Sequence, residues 1–343
     1  MKPLRVIQVG LGLWGQSWAE LVARSPGLRL AGVVDAQAAA RDWGAATLGV
    51  PAFRNLERAL ASVEAQAVLV VSPPSTHRAL VEASLAAGRH VLVEKPLALT
   101  LPDATAIAAA ARAGSRHVMV AQNYRFRRQS RALQRLVADR SLGRLLGIRI
   151  ACRRDLRAAW ISPRDWRGRM RHPYLFDMAV HHVDLLRAIT GRELVEVVAR
   201  AWRAPDGPFR HEPTIEALLT LENGTPVAYE GTWAAPVRET SWNGDWELVG
   251  TRARATWTGG VGDALRGTVR LERYGESPQP VELPRLPALD RLGALYELRR
   301  AVETGHAPEC SVADNLLTVR VLFALARSVA EDRPVRVEEL VVR

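Results

Sequence analysis

The chain has 343 residues, 48% of them hydrophobic and 24% charged, the balance of a globular protein long enough for two domains that each bury a core. No apolar run reaches the roughly 18 residues needed to cross a bilayer, because Arg112, Arg187 and Arg320 interrupt the best candidates, so no membrane partner is expected. The net charge of +11 invites a nucleic-acid reading, but fifteen arginines and three acids between Arg125 and Arg171 carry the whole excess, and that segment has no nucleic-acid motif with interleaved aromatics.

The start, LRVIQVG (4–10), runs straight into a glycine loop and reads as a buried strand, not a secretory leader. Cys152 and Cys310 match no metal spacing; two thiols in so long a chain fit a reducing, cytoplasmic setting with no metal site. LRLAGVVD (28–35), AVLVVS (67–72), HVLVEK (90–95) and HVMVAQN (117–123) are further runs apolar on both faces, as strands of a covered parallel sheet are. Stretches long enough for crossover helices lie between them, for instance Thr76 to Ala87, closed by Gly88. That order predicts a doubly wound α/β dinucleotide-binding domain over residues 1–122.

Beyond residue 123 the pattern changes. A helix over 129–138, a strand over 145–152, an arginine-rich loop and a strong helix over 175–190 stopped by Gly191 lead into alternating runs from 194 to 274, with ENGT as a hairpin turn. They predict a largely antiparallel sheet in an α+β domain over 123–343. A proline-rich stretch then joins closing helices near 289–304 and 312–330, the last of which is expected to pack back on the first domain.

Gly10-Leu11-Gly12-Leu13-Trp14-Gly15 follows the first strand and opens the first helix, where glycines allow a tight turn and close backbone approach to a pyrophosphate. Asp35 ends the second strand, where a carboxylate accepts both ribose hydroxyls and repels a 2′-phosphate; Ala36 adds no cation, so NAD is expected over NADP. Ser72-Pro73-Pro74 ends the third run at the rim where such sheets bind ligands, and His77 just inside the next helix either touches cofactor or caps that helix.

Glu94-Lys95-Pro96 ends the fourth run at the same rim. The chain has only two lysines, Lys2 and Lys95, against 45 arginines, so Lys95 stands where a guanidinium does not serve: a compact ammonium with rotatable donors polarises a substrate oxygen. On the strong helix, Asp177, His181 and Asp184 fall within roughly 60° of one another at about 100° per residue, an acid–imidazole set suited to general-base work, while His182 points elsewhere as a core histidine.

With VIQVGLGLWG, the stretch VVSPPSTHRALVEASLAAGRHVLVEKPLALT, NYRFRR, DWR and FDMAVHHVDLLRAITG in order, the sequence resembles the glucose-fructose oxidoreductase, inositol dehydrogenase and rhizopine-catabolism (Gfo/Idh/MocA) family. The resemblance implies that Lys95 contacts the reacting oxygen, that Asp177 and His181 are the acid and proton acceptor of a D-x-x-x-H motif, and that Asn123 lies on the cofactor side. Tyr124 and Arg125 would lie on the substrate side. It implies an open-faced second sheet that buries one side on helices and uses the other for a homodimer or homotetramer.

Where many members carry a glycine pair, this chain has His172-Pro173, so its substrate loop should be shaped differently, with His172 adding a polar contact. Arg153, Arg154, Arg157, Arg164 and Arg167, together with Trp166 from the DWR stretch, either line the pocket mouth and steer an anionic substrate such as a uronate, a phosphorylated polyol or a nucleotide sugar, or form a solvated face with ion pairs across a subunit interface. The expected activity is NAD-dependent oxidation of a secondary alcohol on a sugar, cyclitol or sugar acid, or the reverse. An NAD-recycling enzyme with no net redox and a non-catalytic NAD-binding regulator are the alternatives.

Overall fold

A computed structural model describes residues 2–157, 170–205, 208–259 and 265–340. They fall into two compact units: Met1–Asn123 with Ala288–Leu316, and Tyr124–Pro287 with Leu317–Arg343.

The first unit holds six parallel strands, β1 Leu4–Val9, β2 Leu28–Val34, β3 Ala52–Phe53, β4 Ala67–Val70, β5 His90–Val93 and β6 Val118–Val120. Their order is β3-β2-β1-β4-β5-β6, with the direction of winding reversed between β1 and β4. Every residue of β4, β5 and β6 is buried, as strands covered on both faces must be. Five helices cross over between them: α1 Leu13–Arg24, α2 Ala38–Leu48, α3 Leu56–Ser62, α4 His77–Ala86 and α5 Leu101–Ala113. The two-residue strand β3 is too short to leave a periodic signal in the sequence. The winding reversal puts the loops after β1 and β4 side by side at the carboxyl edge of the sheet, the place where such folds bind ligands.

The second unit opens with α6 Arg128–Ala138 and β7 Leu145–Arg153. A π-turn over Leu175–Ala179 runs into α7 Val180–Thr190, which Gly191 stops in the left-handed conformation (φ +62°). Strands β8 Leu194–Trp202, β9 Thr214–Leu221, β10 Pro226–Thr232, β11 Asp245–Gly250, β12 Ala253–Gly259, β13 Gly267–Arg273, β14 Gln279–Pro280 and β15 Val335–Arg336 complete a nine-stranded sheet. Its order is β14-β13-β12-β11-β7-β10-β9-β8-β15, antiparallel at every seam but β7–β10. Helix α8 Asp290–Thr304 lies in the first unit, and α9 Val312–Glu331 ends in the second.

One sheet face carries the core: Ile148, Ile150, Val197, Leu219, Tyr229, Trp246, Leu248 and Trp257 are all buried. The other alternates charges in ion-paired rows, Arg149 with Glu247, Arg254 with Glu247 and Glu272, Arg153 with Glu230. Alternating in-and-out residues thus give the sheet one wet face, as the sequence pattern predicts.

Candidate functional site

In the first unit the glycine loop is braced from below. Gln8, buried in mid-strand, donates from its amide Nε2 to the carbonyls of Gly10 (3.0 Å) and Gly15 (2.6 Å). A Cβ at Gly10 would lie 2.3 Å from the Val71 carbonyl oxygen, and one at Gly15 2.3 Å from that of Gly10, so neither position admits a side chain. At Gly12 a Cβ would meet nothing within 4 Å, and Gly12 begins α1 without a side-chain cap. Helix amides facing open space are the donors that a pyrophosphate needs. Leu13 (92% exposed) and Trp14 (47%) flank that opening.

Asp35 follows β2, its Oδ2 accepting the Leu11 amide (2.7 Å) and its Oδ1 the Gln37 amide (2.9 Å); each oxygen keeps a lone pair for a ribose hydroxyl. Ala36 adds no cation, but one lies nearby in space. Arg41, one turn into α2, reaches back to donate to the carbonyls of Asp35 (2.9 Å) and Ala36 (2.8 Å). These residues fit a dinucleotide.

At the same rim Ser72 and Pro73 are accessible while Pro74 is buried. His77 is fully buried, its Nε2 facing the Ser72 carbonyl (2.9 Å) and its Nδ1 that of Leu97 (3.1 Å); burial lowers its pKa. Its ring therefore tethers the loop after β4 to the segment after β5, and neither a cofactor contact through the ring nor a helix cap describes it.

The Lys95–Pro96 peptide is cis, and Lys95 is half-buried. Glu94, expected on the cofactor, turns inward: its carboxylate accepts the indole N–H groups of Trp14 and Trp18 and the Lys95 amide. Asn123 donates from its side-chain amide to Asp290 of α8.

In the second unit Tyr124 stacks on His181, the ring centroids 4.1 Å apart and the planes within 5°, and the Arg127 guanidinium lies 3.3 Å from the Tyr124 centroid. Both rings are largely buried. His182 faces the Tyr229 hydroxyl (2.9 Å) and the Trp242 carbonyl (3.1 Å), with burial pushing its pKa down to about 4; it is the core histidine.

Two expectations change here. Asp184 does not share an acid–imidazole face with open access, because Arg125 donates to both of its oxygens (2.7 and 2.6 Å) in a buried pair. Arg125 is thereby held inside the unit by this buried pair. The π-turn also puts Asp177 where the 100° rule does not apply, so its bearing relative to His181 was not readable from spacing.

His172 takes φ +49°, the left-handed region that glycine would favour, so the position keeps a glycine-like backbone although the residue differs; its ring sits 3.4 Å from Glu212, and burial lowers its pKa. Arg154 pairs with Glu239 (3.0 Å) and lies over Trp242, Arg153 pairs with Glu230, and Arg157 with Asp155, so the field expected of these arginines is offset on the spot. Arg164, Trp166 and Arg167 lie outside the described residues. Sequence reasoning missed Gln8, Trp18, Arg41 and Arg127; only Gln8, a lone polar residue in an apolar strand, gave a signal.

Comparison with known proteins decides the family. The profile of the oxidoreductase family with an NAD-binding Rossmann fold matches residues 4–122, and that of the GFO/IDH/MocA C-terminal domain matches residues 130–256. The chain belongs to the Gfo/Idh/MocA family.

An uncharacterized protein of Sinorhizobium fredii is 27% identical over an alignment 354 positions long, covering 98% of this chain and 96% of its own. The 1,5-anhydro-D-fructose reductase of Ensifer adhaerens is 25% identical, with 83% of each chain covered. Inositol 2-dehydrogenase of Leifsonia xyli is 28% identical over 65% of this chain and 66% of its own. Among solved structures, the aldose-aldose oxidoreductase of Caulobacter crescentus, complexed with glycerol, superimposes with a TM-score of 0.87 at 23% identity, covering 98% of this chain and 100% of that one. At that identity the likeness speaks for the fold. The Gfo/Idh/MocA assignment makes this chain one of an NAD-binding oxidoreductase family with sugar and cyclitol dehydrogenases among its relatives. No helix among the described residues is long and apolar enough to cross a membrane.

Proposed function

We propose that the protein is an NAD-dependent dehydrogenase acting on a secondary alcohol of a sugar, cyclitol or sugar acid, or reducing the corresponding ketone. In this reading the first unit binds the dinucleotide and the second the substrate. The observation that carries the reading is His181: a largely buried imidazole, stacked on Tyr124, just after a π-turn that bears Asp177. Such turns interrupt helical hydrogen bonding and are common at functional sites.

NAD, when bound, supplies the hydride acceptor. The amides at the start of α1 bind its pyrophosphate and Asp35 its adenosine ribose, with Ser72 and Pro73 along the rim. Asp35 argues for NAD over NADP. The hydroxyl proton of the substrate passes to a ring nitrogen of His181, which Asp177 keeps basic, and the ammonium of Lys95 stabilises the negative charge on the alcohol oxygen as the carbon gives up its hydride. Tyr124 and Arg127 hold the imidazole plane. His172, Arg154, Trp166 and Arg167 belong to the substrate loop in this proposal.

The test is kinetic. After a screen of sugars, inositols and uronates for NADH formation, His181→Ala and Lys95→Ala are each expected to lose about 10²- to 10⁴-fold in kcat with NADH affinity retained. Because the two groups act on one oxygen, the double variant should lose much less than the product of the single losses. Near-normal turnover in either single variant would refute the assignment.

We also propose that copies associate through the outer face of the second sheet, where Val198, Trp202 and Leu218 stand 39%, 46% and 52% exposed among ion-paired rows. Light scattering of Leu218→Lys against the parent chain tests this; an unchanged mass would count against that face.

A further inference from the structure

The Glu94 carboxylate is buried, and the donors that meet it are neutral N–H groups. Its Oε1 accepts from the Trp14 Nε1 (2.8 Å) and the Trp18 Nε1 (2.8 Å), and its Oε2 accepts from the amide of Lys95 (2.9 Å). A buried carboxylate is tolerated only where its lone pairs are met by donors, and here three neutral N–H groups meet them. The three come from two places in the first unit. Trp14 and Trp18 stand one turn apart on α1, directly behind the glycine loop, and the amide belongs to the residue that carries the ammonium.

Arg291 of α8 completes the arrangement. Its guanidinium lies 4.5 Å from the Trp14 ring centroid and 5.4 Å from that of Trp18, and it donates to the Ser17 hydroxyl (2.7 Å). A cation over an indole polarises the ring and strengthens the N–H as a donor. Trp18 is fully buried, whereas Trp14 is half-exposed beside the open space over Gly12, so one of the two indoles is within reach of whatever binds the glycine loop.

We propose that Glu94 is a positioning residue: through Trp14 and Trp18 it couples the seating of the dinucleotide on the glycine loop to the placement of Lys95. This rests on the dehydrogenase reading for the role of Lys95 but on the hydrogen bonds alone for the coupling. The chemistry of the side chain makes the idea specific. Glutamine at position 94 keeps the shape but has one acceptor oxygen and one donor group; turned either way, it sets an N–H against the indoles or against the Lys95 amide. One side of the coupling must then break.

The chain offers a readout that needs no substrate, because Lys2 and Lys95 are its only lysines. Acylation with a water-soluble amine reagent, followed by peptide mass spectrometry, gives the ratio of labelling at Lys95 to that at Lys2, with Lys2 as the internal control. Glu94→Gln is expected to raise that ratio at least about threefold, since loosening a half-buried loop exposes the amine, and Trp14→Phe should do the same more weakly. Bound NADH should change the ratio in the parent chain and leave it nearly unchanged in Glu94→Gln. In turnover, Glu94→Gln should lower kcat roughly tenfold or more while the KM for NAD shifts less than about threefold, a split that a merely structural role would not produce.

If Glu94→Gln does not fold, Trp14→Phe, at a half-exposed position, carries the test. A labelling ratio and an NADH response equal to those of the parent, in whichever variant folds, would overturn the coupling. An altered ratio in a chain that oxidises no alcohol would uphold the coupling and remove the dehydrogenase reading instead.

Discussion

Arg125 and Asp184 make the sharpest quantitative case. Their side chains are 7% and 2% exposed, two hydrogen bonds of 2.7 and 2.6 Å join them, and the Thr318 hydroxyl adds a third donor to Asp184 at 3.3 Å. Asp184→Asn removes the charge but keeps the shape, so the buried guanidinium loses this carboxylate. Breaking a buried pair in this way costs about 3–5 kcal/mol, whereas replacing both partners by apolar groups is often nearly neutral. For a unit of this size each kcal/mol moves the melting temperature by about 2–4 °C, so Asp184→Asn should melt roughly 6–20 °C lower. The double variant Arg125→Leu with Asp184→Leu should recover most of that loss. Calorimetry on the three variants, with KM measured on the same samples, separates a structural pair from a substrate-binding arginine. A melting temperature within about 2 °C of the parent for Asp184→Asn, with Arg125→Leu changing only KM, would refute the reasoning and return Arg125 to the substrate.

Two further outcomes follow from the same structure. The His182 ring is pushed from 6.5 to about 4 by burial, so between those values the unfolded chain binds a proton that the folded chain refuses. Stability is therefore full above pH 6.5 and falls as the pH drops toward 4, by up to ~3 kcal/mol from this residue. His182→Asn, which no longer titrates, should show a shallower loss in denaturant titrations at pH 7 and pH 4.5, and an identical slope would contradict the assignment. For the cofactor, Asp35→Ser removes the carboxylate that repels a 2′-phosphate and leaves the Arg41 guanidinium beside it. The ratio of kcat/KM for NADP to that for NAD should rise about tenfold or more, and adding Arg41→Ala should cancel most of the gain; no gain from Asp35→Ser would remove Arg41 from cofactor choice.

What the sequence revealed was what depends on near neighbours. The glycine fingerprint, the apolar runs of β1, β2, β4, β5 and β6 and the Gly191 stop are local patterns, each set by backbone geometry within a few residues. Lys95 was conspicuous for another reason, its rarity in an arginine-rich chain. The missed features join residues far apart. Nothing near Glu94 announces two indoles some eighty positions earlier, and nothing near Arg125 announces Asp184. Net charge was ambiguous for the same reason: the arginine segment left a field at the pocket mouth and an ion-paired face both open, because the acids that answer Arg153 and Arg154 come from the strands and loops beyond residue 229. The π-turn was invisible because an extra residue in one turn changes no composition and breaks only an assumed angle.

The lone parallel seam of the larger sheet has a bearing on how the chain is made. Strand β7 sits between two ribbons of consecutive strands, β8 to β10 on one side and β11 to β14 on the other, yet it precedes both in the chain. During synthesis it must wait for the roughly seventy residues between Arg153 and Pro226 before its first partner exists, about 4–15 s at ribosomal speed. Through that interval Ile148 and Ile150 stand on an unpaired apolar ribbon, so β7 is where a chaperone would be needed first and where a slowed ribosome would do the most harm.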